Sequence, residues 1–257
     1  MSNFQDLFAY RLSLSTRPFH GRGMSIDRCP ICQISKLHCI CDLKKTNHAN
    51  VAFCLLMHDS EILKPSNTGK LIANIFKDTH AFLYNRTNPD SNFLALLDNA
   101  KYQPYVIFPK DYATQNQIVL EPTPQSNPLI IDKNKTPLFI LLDGTWREAA
   151  RMFRKTKELH ALPMISIAPD ILNEEIIDYN NSNYDLRQSK KAGQLATAEV
   201  AAKVLLSAGN KNSATHLQHW FEVFCYRYAL AKKSIVKHDD LPTKAYLHFL
   251  NHSNLKE

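Results

Sequence analysis

Pro137-Leu138-Phe139-Ile140-Leu141-Leu142-Asp143-Gly144-Thr145-Trp146-Arg147-Glu148-Ala149-Ala150 is the stretch whose reading decides the fold. Leu138 to Leu142 is an apolar run without alternation, the pattern of a strand covered on both faces. Gly144 lets the chain turn sharply. Thr145 followed by Glu148 forms a capping box, so a helix is expected to open there. Open α/β sheets bind their ligands outside the carboxyl ends of the strands. Asp143, Thr145 and Trp146 are therefore candidate catalytic residues. The same pattern also fits an ordinary strand-to-helix turn with a core tryptophan.

Outward from this turn, short apolar runs stand at residues 51–57, 80–84, 105–108 and 164–167. Helical patterns at 69–76, 92–99 and 146–159 lie between several of them. Strands alternating with helices predict an α/β fold with a mostly parallel sheet and flanking helices. Residues 118–136, with Pro122, Pro124 and Pro128, read as a loop. Past Asn183 the chain turns helical, at 195–207, 216–233 and 241–251. The expected organisation is a small N-terminal zinc-binding module (1–45), a main domain (46–233) and a C-terminal helical tail (234–257).

At 257 residues the chain is long enough for one sizeable core. No apolar run approaches the length needed to span a bilayer, so no membrane is expected. The first sixteen residues lack a basic start followed by an apolar block, so no secretory signal is expected and the protein reads as cytoplasmic. Its six cysteines are then not expected to form structural disulfides. A formal charge of +7 favours a polyanionic partner such as nucleic acid.

Cys29-Pro30-Ile31-Cys32 is followed by Cys39-Ile40-Cys41. Four thiolates within thirteen residues suit a tetrahedral Zn²⁺, with His38 as a weaker substitute for Cys39 or Cys41. Nothing else in this segment would hold it folded, which makes the zinc structural. Cys54 and Cys225 fall in apolar and aromatic surroundings and read as core residues.

Lys64-Pro65-Ser66-Asn67-Thr68-Gly69-Lys70 follows the first strand and leads into a helix. Such a loop can bind an anion or carboxylate, or simply cap its helix. It is not a Walker P-loop, because position 64 is Lys and position 71 is Leu, which disfavours a nucleotide phosphotransferase. On the helix after Asp143, Trp146, Ala149, Ala150 and Phe153 share one face. Arg147, Arg151, Arg154 and Lys155 share the other, a stripe suited to RNA phosphates or to plain solvation. Arg187, Lys190 and Lys191 add positive charge, and Arg227, Lys232 and Lys233 extend it near Tyr226 and Tyr228. Leu195, Thr197 and Glu199 stand at the start of a small-residue helix rich in alanine.

Cys-x-x-Cys…Cys-x-Cys, Lys-Pro-Ser-Asn-Thr-Gly, Leu-Asp-Gly-Thr-Trp and Leu-Arg…Thr-Ala-Glu-Val-Ala, in that order, resemble the DTW-domain proteins. More narrowly they resemble the bacterial tRNA-uridine aminocarboxypropyltransferases. The resemblance covers roughly residues 17–228. It implies an S-adenosylmethionine-dependent transferase that moves the 3-amino-3-carboxypropyl group to N3 of a uridine in the tRNA variable loop, releasing methylthioadenosine. It also implies a fold related to the SPOUT transferases, in which the C-terminal half can be knotted. On that basis Ser66, Asn67, Thr68 and Gly69 would receive the donor's carboxylate, and Leu141, Leu142 and Leu195 would pack its adenosine. Gly144, Thr197 and Glu199 would complete the donor site. Asp143 would take the N3 proton, stabilise the sulfonium or hydrogen-bond the uracil, and Trp146 would stack on the base or belong to the core. Arg147, Arg151, Arg154, Lys155 and Arg187 would hold tRNA. The competing readings are an RNA methyltransferase of SPOUT type with the same donor and a non-catalytic zinc-dependent RNA-binding protein.

Overall fold

The run that ends in Asp143 is the strand around which the others assemble. The structure is a computed structural model and describes residues 3–16, 23, 25–122, 132–167, 195–232 and 239–253. Strand β5 (Thr136–Asp143) lies between β1 (Ala52–Met57) and β3 (Tyr102–Ile107). Beyond β1 lies β2 (Thr79–Leu83), and beyond β3 lie β6 (Met164–Ile165) and β4 (Val119–Leu120). The order is β2-β1-β5-β3-β6-β4 and every pairing is parallel.

Alternate residues of the strands feed two separate cores. Phe53, Leu55, Met57, Phe139 and Leu141 face one side. There they meet α1 (Phe4–Ser13), α2 (Gly69–Ile75), α5 (Thr197–Ser207), α6 (Lys211–Ala231) and α7 (Leu241–His252). Ala52, Cys54, Leu56, Leu138 and Ile140 face the other side, against α3 (Ser91–Leu97) and α4 (Trp146–Lys155). Burial on both faces explains why the strands read as continuous apolar runs.

This layering sets the place for chemistry. Neighbouring strands β1 and β5 pair Met57 with Asp143 at their carboxyl ends. From there β1 continues into α2 on one face, and β5 into α4 on the other. Connections that diverge between adjacent strands open a crevice at the strand ends, the switch point where α/β proteins take ligands.

Three features differ from the sequence reading. Helix α1 was not expected, because only Phe4 and Leu7 are buried while Tyr10, Leu12 and Leu14 stay exposed and blur the periodicity. Within the expected loop 118–136, Val119 and Leu120 form an edge strand on β6, too short to carry a pattern. Helix α4 stops at Lys155 rather than continuing to Leu159, and Lys157–Ala161 is a 3-10 turn. The N-terminal segment also shares its core with the sheet: Cys32, Ile34 and Ile40 pack with residues of β1 and α6. No helix among the described residues is long and apolar enough to cross a membrane.

Candidate active site at the ends of β1 and β5

Asp143 closes β5 with its side chain on the α2–α5 face, and only 4% of the residue is exposed. Asn67 Nδ2 donates to its Oδ2 at 2.6 Å, and Thr197 Oγ1 donates to its Oδ1 at 2.7 Å. Thr68 Oγ1 accepts the Ala198 N–H at 3.4 Å, and Asn67 Oδ1 accepts the Lys70 N–H at 3.1 Å. A Cβ at position 69 would stand 2.6 Å from Asp143 Oδ2, so the carboxylate lies against the backbone and Gly69 is required for it to do so. Asn67, Thr68, Gly69 and Thr197 are thus gathered around Asp143, although they come from segments 130 residues apart.

The remaining donor-site candidates surround this network less directly. Ser66 is partly exposed beside Asn67. Glu199 accepts the Ala196 N–H at 2.6 Å and so closes the start of α5. Leu141 is buried on the Asp143 face, whereas Leu142 is partly buried on the α4 face. Leu195 is partly exposed just ahead of α5. At Gly144 a Cβ would approach His58 Cβ to 3.2 Å and Glu148 Cβ to 3.1 Å, so the chain after β1 and the β5–α4 turn meet here.

Thr145 is the N-cap of α4, and its hydroxyl donates to Glu148 Oε2 at 2.7 Å while accepting the Glu148 N–H at 3.4 Å. The predicted capping box is therefore present. Trp146 is not a core residue. It is 44% exposed, stacks on Phe108 at 5.7 Å between centroids and meets the edge of Tyr112. Phe108 stacks in turn on buried Phe153. The buried face of α4 is made by Ala149, Ala150, Met152 and Phe153, so Met152 takes the place the sequence reading gave to Trp146.

The four N-terminal cysteines also converge. Cys29, Cys32, Cys39 and Cys41 place their sulfurs within 4.8 Å of one another. Cys29 and Cys41 sulfurs are 3.6 Å apart, and those of Cys32 and Cys39 are 3.8 Å apart. A tetrahedral Zn²⁺ with bonds of about 2.3 Å needs ligand separations of about 3.8 Å, which these distances match. The four could hold a metal ion, and the set does not include His38. Burial raises the Cys29 thiol, but backbone hydrogen bonds at Cys32 and Ile31, together with those to the Cys39 and Cys41 side chains, bring it down to about 7.

A family model for the DTW domain matches residues 26–229. The chain belongs to the DTW-domain family. That family is associated with tRNA modification. The matched region contains the cysteine cluster, the loop before α2, the β5–α4 turn and α5. No solved structure matches the chain.

In this DTW domain the cationic stripe of α4 is real surface. Arg147, Arg151, Arg154 and Lys155 are all exposed, and none has an ion-pair partner among the described residues. Arg86, after β2, acts with Arg151 on the Tyr84 hydroxyl, so both guanidiniums lie on that side. The second basic segment behaves differently. Arg227 pairs with Asp240 at 2.6 Å, and Tyr226 and Tyr228 are buried. Arg187, Lys190 and Lys191 lie outside the described residues.

Two residues of the site escaped the sequence reading. His58 follows the last residue of β1, one residue beyond the Met57–Asp143 pair. Its Nδ1 lies 2.9 Å from Ser60 Oγ and 3.2 Å from Glu148 Oε1, and Ser60 Oγ donates to that carboxylate at 3.2 Å. Burial works to raise the Glu148 carboxyl, but hydrogen bonds from Thr145, the charge of His58 and the Ser60 hydroxyl hold it below the usual range. Next to this group Asp59 receives a two-pronged ion pair from Arg11 of α1, at 2.5 and 2.8 Å.

Proposed function

We propose that this DTW-domain protein is a tRNA-uridine aminocarboxypropyltransferase. It would transfer the 3-amino-3-carboxypropyl group of S-adenosylmethionine to N3 of a variable-loop uridine and release methylthioadenosine. The observation that carries the reading is Trp146, exposed at the start of α4 just past the end of β5 and seated on Phe108, beside a stripe of unpaired cations. An aromatic face next to unneutralised positive charge suits a splayed-out base with its flanking phosphates.

The donor supplies an electrophilic carbon next to a sulfonium, and the chain's task is orientation. Asp143 serves this reading as a fixed negative charge. Both of its oxygens already accept hydrogen bonds, and it ties the α2 and α5 loops to the end of β5. Of the roles open to it, stabilising the sulfonium and fixing the loops suits a buried, doubly bonded carboxylate better than carrying a proton to solvent. Ser66, partly exposed in the loop ahead of α2, would meet the donor's carboxylate, and Leu195, ahead of α5, would flank its adenosine. Zn²⁺ on the four cysteines would hold the segment around residues 29–41 against the core. Kinship with the SPOUT transferases belongs to the same reading. Residues 168–194, between β6 and α5, lie outside the described residues.

The test is mass spectrometry of tRNA nucleosides after incubation with protein and donor. Aminocarboxypropyl-uridine with methylthioadenosine is expected. Methyl-uridine with S-adenosylhomocysteine would instead identify an RNA methyltransferase. An absence of donor binding would leave an RNA-binding protein.

A further inference from the structure

We propose that Tyr84, Arg86, Arg151 and Lys155 form a clasp for a single backbone phosphate of the bound RNA, with one phosphate oxygen entering a notch at the end of β2. The inference rests on the proposed tRNA-transferase reading and names a place where the backbone of that RNA is fixed.

The local structure brings these residues together. Strand β2 ends at Leu83, and Tyr84 still donates its N–H to the Met57 carbonyl at 2.8 Å. The Tyr84 side chain packs on the core covered by α3 and α4. Asn85 then fixes a tight turn, its Oδ1 accepting the Thr87 and Asn88 N–H groups at 3.1 Å each, and this turn carries exposed Arg86. On α4, Arg151 and Lys155 are four residues apart and share one ridge of the helix. Lys155 lines the same notch as Tyr84 and Arg86, and Arg151 acts on the Tyr84 hydroxyl, so this ridge lies beside the end of β2.

Three observations point to a phosphate. The first is an unused donor. Tyr84 Oη is buried and has no hydrogen-bond partner among the described residues, a cost that a ligand oxygen would relieve. Burial pushes this hydroxyl above its ordinary range, against the charges of Arg86 and Arg151, so it keeps its proton at neutral pH. The second is charge. Arg86, Arg151 and Lys155 are exposed, and no ion pair among the described residues holds them in place over the hydroxyl. Asp90 also lines the notch, but its carboxylate caps α3 by accepting the Asn92 N–H at 2.8 Å. Three cations against one acid leave the place positive. The third is size. The notch has a volume of about 10 Å³, enough for one water-sized atom and too little for a whole small molecule. A phosphate oxygen fits it while the rest of the phosphate stays at the surface among the cations. Trp146 opens the same helix, about 13 Å before Lys155 along the axis, so one strand laid along α4 can meet both.

Binding and melting measurements on two variants test this. Tyr84→Phe removes only the donor. Its melting temperature should hold or rise, because the hydroxyl has no partner in the free protein, while tRNA affinity by filter binding falls roughly tenfold. The salt dependence should keep its slope, since no charge is lost. Arg86→Ala should lower that slope by about 1. The two losses should be less than additive in the double variant, because both residues hold one phosphate. Wild-type tRNA affinity in Tyr84→Phe would overturn the clasp, and so would a drop in its melting temperature, which would make the hydroxyl structural. Inorganic phosphate at matched ionic strength should stabilise wild type and Tyr84→Phe alike. Stabilisation confined to wild type, with tRNA affinity unchanged by Tyr84→Phe, would assign the notch to a small phosphorylated ligand and also overturn the RNA clasp. A wild-type protein that binds tRNA through Tyr84 yet makes no modified uridine would overturn the transferase reading alone. Full tRNA binding by Tyr84→Phe, in a protein that does modify uridine, removes only the clasp.

Discussion

Two buried polar networks hold this molecule together, and they differ in what lies next to them. Asp143, at the carboxyl ends of the strands, binds the α2 loop through Asn67 and the start of α5 through Thr197. His216, fully buried in α6, binds Asn47 ahead of β1 and Tyr246 of α7. Asn47 Oδ1 accepts from Ala49 N–H and Ser213 Oγ, so its amide nitrogen donates to His216 Nδ1. The imidazole is therefore neutral, with its remaining proton on Nε2 towards the Tyr246 hydroxyl. Both networks join segments distant in sequence, and both centre on a buried side chain. Only the first lies at the end of the strand whose next turn and helix carry an exposed aromatic and a stripe of cations without ion-pair partners among the described residues. A buried polar cluster is thus not itself a sign of chemistry. It marks a site only where unused groups stand beside it.

The contrast is sharpest in turnover. Asp143→Ala should reduce the transfer rate by roughly 10²–10³-fold, because it removes the fixed charge and leaves Asn67 and Thr197 without their acceptor. Single-turnover kinetics will show this. By contrast, His216→Ala should keep kcat within about twofold while lowering the melting temperature. A comparable loss of turnover in His216→Ala would break the comparison.

The second effect is on stability against pH. Burial, aided by neighbouring His219, pushes His216 from the ordinary 6.5 down to about 4. The unfolded chain therefore binds this proton first, and stability falls as pH drops from about 6.5 to about 4. The full loss should be about 3 kcal/mol, read from urea midpoints across that window. It should disappear in His216→Ala. The smallest effect concerns the surface. Arg151→Ala with Arg154→Ala should change stability by less than about 0.5 kcal/mol. The same pair should lower the salt dependence of tRNA binding by about 2 in slope. An unchanged slope would separate the exposed stripe from RNA binding.

The same contrast explains what was legible beforehand. The Asp143 turn could be read because its strand, glycine and capping box are all local, and each rests on a short-range rule. The cysteine set was legible because metal ligands at close spacing come from one short segment. His58 was missed because a histidine after an apolar run carries no pattern of its own. Its meaning depends on Ser60 and on Glu148, ninety residues away across the β1–β5 pairing. The His216 network left no signal either, since Asn47, Ser213 and Tyr246 share no motif. The exposure of Trp146 was undecided for a similar reason. Its helical position suits the apolar face, and only the packing of Phe108 beneath it keeps it at the surface.

By itself, then, the sequence determined the alternation of strands and helices, the central strand and the turn that ends it, the cysteine cluster and the cationic stripe. Each of these follows from residue type and short-range spacing. The strand order, the faces to which α2 and α4 go, the enclosure of Asp143 and the pairing of His58 with Glu148 were decided only by the tertiary structure. They depend on which strands become neighbours, and that outcome is set by the burial of both sheet faces at once rather than by any local preference.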